Sequence, residues 1–185
     1  MKRILVLFFL IFVLMGCSDQ DVIEPGLHLR DKLLKGNGCS FLCTVTADYG
    51  EEIYTFGMRC QTDQSGNLSF CVTEPESIAD IQGTVSAEGG ALTFDKEILA
   101  FDTIADGQIT PVSAPWLVVQ TLRSGYIRSC EQKKSGTHLI YDDSYKENAM
   151  QVDVYLADNG LPIQADILWG GKRILSLKIE QFQIL

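Results

Sequence analysis

Few side chains in this sequence have the types and spacing that catalysis requires. The two histidines, His28 and His138, stand in neither the spacing of a metal site nor that of a catalytic triad. The acidic pairs Glu51-Glu52 and Asp142-Asp143 fall at expected turns or strand ends, where carboxylates face solvent. Nucleophile-elbow, Walker and dinucleotide-binding motifs do not occur in the sequence. We therefore predict a protein without catalytic activity and without a cofactor.

The remaining reactive side chains are thiols. Cys39, Cys43 and Cys60 are close enough in sequence to suggest a zinc site. Their spacing differs from that of common zinc modules, and alternating apolar neighbours place them on a buried strand face, where thiolates are disfavoured. We therefore predict small buried side chains and no metal ion. Cys71 and Cys130 are expected to be exposed, and the sequence leaves the redox state of these five thiols open.

The sixth cysteine, Cys17, ends a segment with the character of an export signal. An apolar run over residues 4–15 has the length of a signal-peptide core and is too short to span a bilayer. The run ends in Leu14-Met15-Gly16-Cys17, which resembles the lipobox of bacterial lipoproteins. That resemblance implies that the Cys17 thiol receives a diacylglycerol and that a peptidase removes residues 1–16. Two or three acyl chains would hold the protein stably at a membrane.

The charge balance restricts the partners of the exported part. The whole chain has a formal charge of -9, and removal of Lys2 and Arg3 with the signal segment leaves -11. No cluster of lysine and arginine offsets this charge, so nucleic-acid binding is disfavoured. The domain should not lie flat on an anionic membrane, and the lipid on Cys17 must hold it there. The expected location is the extracytoplasmic face of a cell membrane, either inner or outer.

Period-two patterns predict antiparallel strands in the first half of the domain. Joining the apolar faces of the first two strands sets Phe41 opposite Cys60 and Cys43 opposite Met58. On the third strand, Cys71 alternates out of phase with the apolar residues, so its side chain should point to the other face. We therefore predict that Cys60 and Cys71 do not form a disulfide.

Helix signals frame these strands. A polar tether over residues 17–27 precedes a brief helix at Leu27–Lys35, where the leucines are available to pack. A second helix is predicted from Pro111 to Tyr126, because Pro115 suits a first turn and apolar residues recur at helical spacing. Residues 28–185 then form one domain.

Turn signals join consecutive strands and thereby define the fold class. Hairpins are expected at Gly89-Gly90 and at Asn159-Gly160, and residues 74–82 form an irregular connection. The prediction is an α+β fold: a strongly curved antiparallel sheet (an unclosed β-barrel) with a short N-terminal helix and one internal lid helix. The lid helix and the 74–82 connection are the expected covers of the concave face.

A concave apolar face with a partial lid has room for an apolar ligand. Affinity would come from the burial of apolar surface. The residues that we expect to line this site are Phe41, Val45, Phe56, Met58, Phe70, Phe94, Trp116, Val152, Val154, Ile167 and Leu177.

This layout resembles the LolA/LolB-like family of lipoprotein-sorting proteins over roughly residues 28–184. The resemblance implies an unclosed β-barrel with a helical lid and a hydrophobic interior. It is carried by the order of the elements and by Tyr54-x-Phe56-x-Met58, Glu74-Pro75-Glu76-Ser77-Ile78, Leu92-Thr93-Phe94-Asp95, the helix start Pro111 to Trp116, and Gly160-x-Pro162, Trp169, Leu175-x-Leu177-x-Ile179 and Phe182.

Within that family, the chain is similar to small lipoproteins of spore-forming Firmicutes that include the germination lipoprotein GerS. Those relatives act by binding a peptidoglycan amidase and do not carry lipid. The resemblance therefore implies an alternative to ligand binding, namely a non-catalytic scaffold that binds and stabilises a cell-wall enzyme. A carrier requires an open pocket, whereas a scaffold requires an exposed apolar or charged patch or an unpaired edge strand.

Overall fold

The computed structural model describes residues 20–102, 104–105, 108–133, 136–142 and 150–185, so the signal segment and Cys17 lie outside the described residues. It contains two α-helices, two short 3-10 turns and a set of β-strands. The helices are α1 (Gln20–Lys35) and α2 (Ala114–Ser124), and the 3-10 turns are Glu76–Ile78 and Pro111–Ser113. The strands are β1 (Cys39–Asp48), β2 (Ile53–Thr62), β3 (Leu68–Glu74), β4 (Gln82–Ser86), β5 (Gly89–Phe94), β6 (Glu97–Phe101), β7 (Ile104–Ala105), β8 (Gln108–Ile109), β9 (Tyr126–Lys133), β10 (Gly136–Asp142), β11 (Met150–Leu156), β12 (Pro162–Trp169) and β13 (Lys172–Ile184).

One antiparallel sheet of 11 strands dominates the fold, in the order β6-β5-β4-β3-β2-β1-β13-β12-β11-β10-β9. Strands β6 and β9 form its two edges and do not pair with each other, so the described sheet is an open half-barrel. Together with α1 and α2, this arrangement confirms the predicted fold class. Strands β7 and β8 form a separate two-stranded ribbon.

The register of the first hairpin agrees with the register predicted from the buried faces. Phe41 lies opposite Cys60 and Cys43 opposite Met58. Cys60 belongs to the buried core, whereas Cys71 pairs with the exposed Arg59 and points to the other face. The alternation of apolar side chains was therefore sufficient to place Cys60 and Cys71 on opposite faces of the sheet.

Irregular pairing helps the sheet to bend. Between Ser40 and Leu42 the register against β13 shifts, and Gln181 on β13 has a positive φ of 53°. A bulge of this kind bends the strand and increases its twist. It also lets the Phe182 ring return to the core, where it stacks on Phe41 with ring centroids 5.4 Å apart.

Both helices cover the apolar, concave face of the sheet. Leu29 and Leu33 of α1 are buried in the same core as the inward side chains of the strands. A β-carbon on Gly26 would lie 2.8 Å from Ile127 Cδ1, so glycine at this position lets α1 approach the sheet closely. From α2 the core receives Ala114, Pro115, Val118, Val119 and Leu122.

The N-terminal helix is longer than predicted. It begins at Gln20, not at Leu27, so that Pro25 and Gly26 lie inside it. The Pro-Gly pair predicted a break, but the packing of Gly26 against the sheet stabilises the helical conformation through it. Of the four leucines that were expected to pack, only Leu29 and Leu33 are buried, whereas Leu27 and Leu34 are exposed.

The connection at residues 74–82 contributes only Ile81 to the packing around the core, so it forms little of the cover expected there. The turn Glu76–Ile78 has no buried residue, and Gln82 already belongs to β4. Its place is taken by α1, which packs against α2 and β9. The acidic and polar composition of this connection favours solvent over the apolar face.

Three further expectations need correction. Ser86 pairs with Gly89, so the hairpin turn lies two residues before the predicted Gly89-Gly90, and Gly90 sits within β5 under the Phe101 ring. The second helix ends at Ser124, because Gly125 takes an extended conformation, and Tyr126 begins β9. Cys130 is buried on that strand, not exposed.

We expect the neighbouring leucines of α1 to differ sharply in their effect on stability. Leu33 is 1% exposed and Leu34 is 52% exposed. Leu33→Ala should lower the free energy of unfolding by about 2–5 kcal/mol, because it leaves a cavity in the core. Leu34→Ala is the matched control and should stay within about 0.5 kcal/mol. Equal effects in urea unfolding followed by circular dichroism would show that α1 does not pack as described.

Candidate functional site

Nine of the eleven predicted lining residues lie together on the concave face. All nine are buried in one core beneath the helices, so in this conformation they form a covered floor. Periodicity alone had indicated their common face, and the strand order brings them side by side. These residues are Phe41, Val45, Phe56, Met58, Phe70, Val152, Val154, Ile167 and Leu177.

The other two predicted residues lie at the margins of that floor. Trp116 is half-buried on α2, and its indole N–H is buried without a hydrogen-bond partner among the described residues. Phe94 is 51% exposed near the end of β5. Both side chains therefore remain partly accessible in this conformation.

A cleft opens where α2 crosses the ends of β10 and β11. Its volume is about 370 Å³, which falls in the range of about 300–1,000 Å³ that is typical of ligand pockets. Val152 is the predicted residue that reaches it. The cleft is lined by Leu117, Gln120, Thr121, Ser124, Gly125, Tyr126, Tyr141, Asp142, Met150 and Val152.

The lining of this cleft is amphipathic. Leu117, Met150 and Val152 supply apolar surface, whereas the C-terminal part of α2 supplies amide and hydroxyl groups. The Asp142 carboxylate at its border is paired with the Arg128 guanidinium at 3.2 Å. An arrangement of this kind suits a molecule with an apolar chain and a polar end.

Tyr141 lies in the wall of the cleft and is almost completely buried. Its hydroxyl has no hydrogen-bond partner among the described residues. Burial raises the pKa of the Tyr141 phenol to about 12, so the hydroxyl stays protonated and able to donate at neutral pH. A buried donor of this kind would favour a ligand that carries an oxygen acceptor.

Two arginines fasten the helices to each other. Arg30 of α1 donates to the Leu122 carbonyl at 3.1 Å and to the Gly125 carbonyl, both at the end of α2. Arg123 of α2 donates in return to the Leu33 carbonyl of α1 at 3.1 Å. These carbonyls belong to helix ends, where intrahelical partners are missing. The reciprocal bonds therefore satisfy both C-termini while they hold the cover in place.

The end of α2 is also tied to the turn between β2 and β3. Arg123 donates to the Gln64 carbonyl at 2.9 Å, and Gln120 donates to the Gly66 carbonyl at 2.8 Å. The two helices thus contact both the turn between β2 and β3 and the strands β9 and β10 near one edge of the sheet.

The candidate catalytic and metal-binding residues take ordinary structural positions. His138 is buried on β10, where its ring stacks on Tyr155 at 4.4 Å and its Nε2 lies 3.2 Å from the Asp153 carboxylate. His28 is exposed on α1, and Glu51 and Glu52 are exposed at a turn. Within the described residues, no group of three His, Cys, Asp or Glu side chains is arranged to hold a metal ion. Asp143 lies outside those residues.

A groove of about 390 Å³ lies on the opposite, convex face. Its lining is mixed: Phe41, Leu42, Phe70 and Cys71 stand beside the polar residues Arg59, Gln61, Ser69, Gln181 and Gln183. Two of the predicted lining residues, Phe41 and Phe70, contribute to this groove as well as to the buried floor.

The edge of the sheet at β5 and β6 leaves apolar side chains uncovered. Leu92 pairs with Leu99 and shares the concave face with Phe94, and Ile98 points to the other side. Phe94, Ile98 and Leu99 are all exposed, and β6 has a partner strand on one side only in the described sheet. Unpaired edges with apolar residues are surfaces at which other chains can dock.

Sequence reasoning missed Leu117, Tyr141 and Met150 as cleft residues and missed the two arginines. Met150 and Tyr141 were visible as inward positions of their strands, but their closeness to α2 depends on tertiary packing. Leu117 could have been found as the residue that follows Trp116 on an amphipathic helix. Arg30 and Arg123 give no local signal, because their acceptors lie about ninety residues away in sequence.

The fold and the cleft define an open half-barrel whose concave apolar face is covered by two helices. No protein-family model and no curated protein matches the sequence. Solved structures with a similar course of the chain do exist. One is described as an outer membrane lipoprotein-sorting protein domain from Vibrio parahaemolyticus, with 9% identity, coverage of 90% of this chain and 93% of that chain, and a TM-score of 0.47.

Two further structures are similar at the same low level. The lipoprotein LppX of Mycobacterium tuberculosis has 14% identity, coverage of 89% and 96%, and a TM-score of 0.46. A LolA superfamily protein of Nitrosomonas europaea has 7% identity, coverage of 92% and 94%, and a TM-score of 0.42. These likenesses concern the course of the chain alone, so function must be argued from the site.

We expect the Arg123 contacts to stabilise the cover measurably. Arg123→Gln removes the donors to the Leu33 and Gln64 carbonyls and should lower the free energy of unfolding by about 1–3 kcal/mol. Arg59→Gln, an exposed arginine on the convex face, is the control and should change it by less than about 0.5 kcal/mol. Urea unfolding monitored by tryptophan fluorescence measures both, and a neutral Arg123→Gln would contradict the role of the reciprocal bonds.

Proposed function

We propose that the protein is a lipid-anchored, non-catalytic binding protein that holds a single-chain amphiphile, such as a fatty acid, in the cleft under α2. The observation that carries this proposal is the 370 Å³ cleft, whose apolar side continues into the buried floor. Within that floor Val152 belongs both to the cleft and to the core, so a chain that enters there meets apolar side chains.

The chemistry of the cleft supports an amphiphile over a wholly apolar ligand. Burial of an acyl chain against Leu117, Met150 and Val152 would contribute about 25 cal/mol per Å² of apolar surface. The Tyr141 hydroxyl is buried without a partner among the described residues, and an outward movement of α2 that uncovers it would let it donate to a carboxylate or ester oxygen. The floor beyond Val152 is filled by its own side chains, so a longer chain requires a small outward movement of α2.

The position of the anchor supports exchange with a membrane. Only Ser18 and Asp19 separate Cys17 from the first helical residue, Gln20. Three residues of extended chain reach roughly 10 Å, so a lipid on Cys17 would keep α1 near the membrane surface. Of the tether expected over residues 17–27, residues 20–27 are helical, so only residues 17–19 are left to link the anchor to α1. Among the described residues, no helix has both the length and the apolar character needed to cross a bilayer.

A second candidate function is supported by the exposed edge. The unpaired side of β6 and the exposed Phe94, Ile98 and Leu99 would suit a partner protein that adds a strand to the sheet. This is the geometry that a scaffold for a cell-wall enzyme requires, as in the resemblance to the GerS-type lipoproteins of Firmicutes. The cleft has no part in such a function, which allows the two candidates to be separated.

We expect a brominated fatty acid to quench Trp116 when it binds. The chain has two tryptophans, so Trp169→Phe in a form that begins at Ser18 leaves Trp116, the residue before Leu117 of the cleft, as the single fluorescent reporter. Brominated stearate should quench it saturably, and Leu117→Glu should weaken binding at least about tenfold, because it places a charge in the apolar wall. Fluorescence titration measures both effects.

The matched control is Leu27→Glu, which changes an exposed leucine of α1 away from the cleft. It should leave the titration unchanged. A lack of saturable quenching in the parent form would reject ligand binding at this cleft. Retention of a peptidoglycan amidase by the same protein, lost on Ile98→Pro, would then favour the scaffold.

We also expect Cys17 to carry the membrane anchor. A bacterium that expresses the full chain should incorporate labelled palmitate into it, and the protein should sediment with membranes. Cys17→Ser should abolish the label, because the sulfur is the atom that receives diacylglycerol. Cys71→Ser is the control, since it removes a thiol from the convex face and should leave labelling intact. Persistent labelling of Cys17→Ser would show that the lipid is attached elsewhere.

A further inference from the structure

Two thiols face each other in the middle of the covered floor. Cys43 on β1 and Cys60 on β2 have their sulfur atoms 3.8 Å apart. Cys60 lies directly opposite Phe41, and Cys43 lies opposite Met58, so the two cysteines are diagonal neighbours across the hairpin. Both are buried and both point to the concave side. Their separation is that of two reduced thiols in contact.

The other cysteines are placed less favourably for pairing. Cys39 lies diagonal to Cys60 on the other side of Phe41. Its sulfur contacts the Thr62 hydroxyl at 3.3 Å and does not contact the Cys60 sulfur in the same way. Cys71 is on the opposite face of the sheet, as its pairing with Arg59 shows. Cys130 lies on β9, at the far edge of the sheet. The geometry thus selects one pair from the five described thiols.

We propose that Cys43 and Cys60 are a disulfide-forming pair that cross-links β1 to β2 when the protein folds outside the cytoplasm. A bond requires the sulfur atoms to approach from 3.8 Å to about 2.05 Å, which takes rotation of both side chains and a small shift of the two strands, because the cysteines are diagonal neighbours. The oxidant is a small or protein disulfide. Each cysteine gives up its thiol hydrogen, a bond forms between the two sulfurs, and the disulfide of the oxidant breaks and leaves as two thiols.

The surroundings determine when this exchange can occur. A hydrogen bond with Cys43, together with burial, raises the pKa of the Cys60 thiol well above its usual range. The thiolate that attacks a disulfide is therefore scarce in the folded protein. Exchange requires the hairpin to be open, during folding or on warming, and the bond is then sealed in the core. Cys39, Cys71 and Cys130 remain thiols.

The test uses the full chain, purified from bacterial membranes in detergent. Trypsin cleaves after Lys35, Arg59 and Lys96, which gives peptides 36–59 and 60–96 with two cysteines each. Combining Cys39→Ala with Cys71→Ala leaves only Cys43 in the first peptide and only Cys60 in the second. The protein is warmed close to its melting temperature in oxidised and reduced glutathione, its free thiols are alkylated, and it is digested.

We expect peptides 36–59 and 60–96 to appear joined, and to separate when Cys43→Ala is added to the background. Reduction of the cross-linked protein should lower its melting temperature by roughly 5–10 °C, because the cross-link restricts the unfolded chain. If the variant with both Cys39→Ala and Cys71→Ala does not fold, the same experiment is done with Cys39→Ala alone. Fragmentation of the joined peptides in the mass spectrometer then shows whether Cys60 or Cys71 forms the bond. Alkylation of both Cys43 and Cys60, or a cross-link to another cysteine, would overturn the proposal.

Discussion

The structure depends on the cover that two helices form over one apolar face of a sheet that does not close. An open sheet of eleven strands would otherwise leave its concave side in water. The reciprocal bonds of Arg30 and Arg123 hold this cover, because each arginine satisfies carbonyls at the end of the other helix. The contact between α1 and α2 therefore combines apolar packing with hydrogen bonds to the free carbonyls of the helix ends. The cleft lies next to the C-terminal end of α2.

The arrangement separates the molecule into regions of different accessibility. The centre of the floor is sealed, with Val45, Val154 and Leu177 fully buried. One margin opens into the cleft at the end of α2, and the opposite margin leaves Phe94 and Leu99 exposed at β5 and β6. A ligand-binding role would use the first margin, and a partner-binding role the second.

Much of the fold could be predicted from the sequence because successive side chains of a strand point to opposite faces of the sheet. Because a shift of one residue would move the apolar side chains to the solvent face, the pairing of Cys43 with Met58 across β1 and β2 followed from the pattern alone. The Asn159-Gly160 turn was equally clear, and β11 and β12 pair across it with Val152 opposite Ile167. Local chemistry was misleading at Pro25-Gly26, where close packing of the helix on the sheet outweighed a break signal.

The candidate site was harder to predict, because periodicity defines a face but not its depth. It placed Val152 and Val154 together, yet only Val152 reaches the cleft. Which part of a face remains open depends on how far each helix extends along it. The position of each helix on that face depends on contacts between residues about ninety positions apart, such as Arg30 with Leu122. Such contacts leave no trace in a local pattern.

Native mass spectrometry of the form that begins at Ser18, purified from a bacterial host, tests ligand binding in the cleft most directly. We expect part of the protein to carry the added mass of one single-chain amphiphile, which organic extraction removes and added oleate restores. The Leu117→Glu variant should show the bare mass under the same conditions. A bare mass for the parent protein, unchanged after oleate is added, would contradict the account.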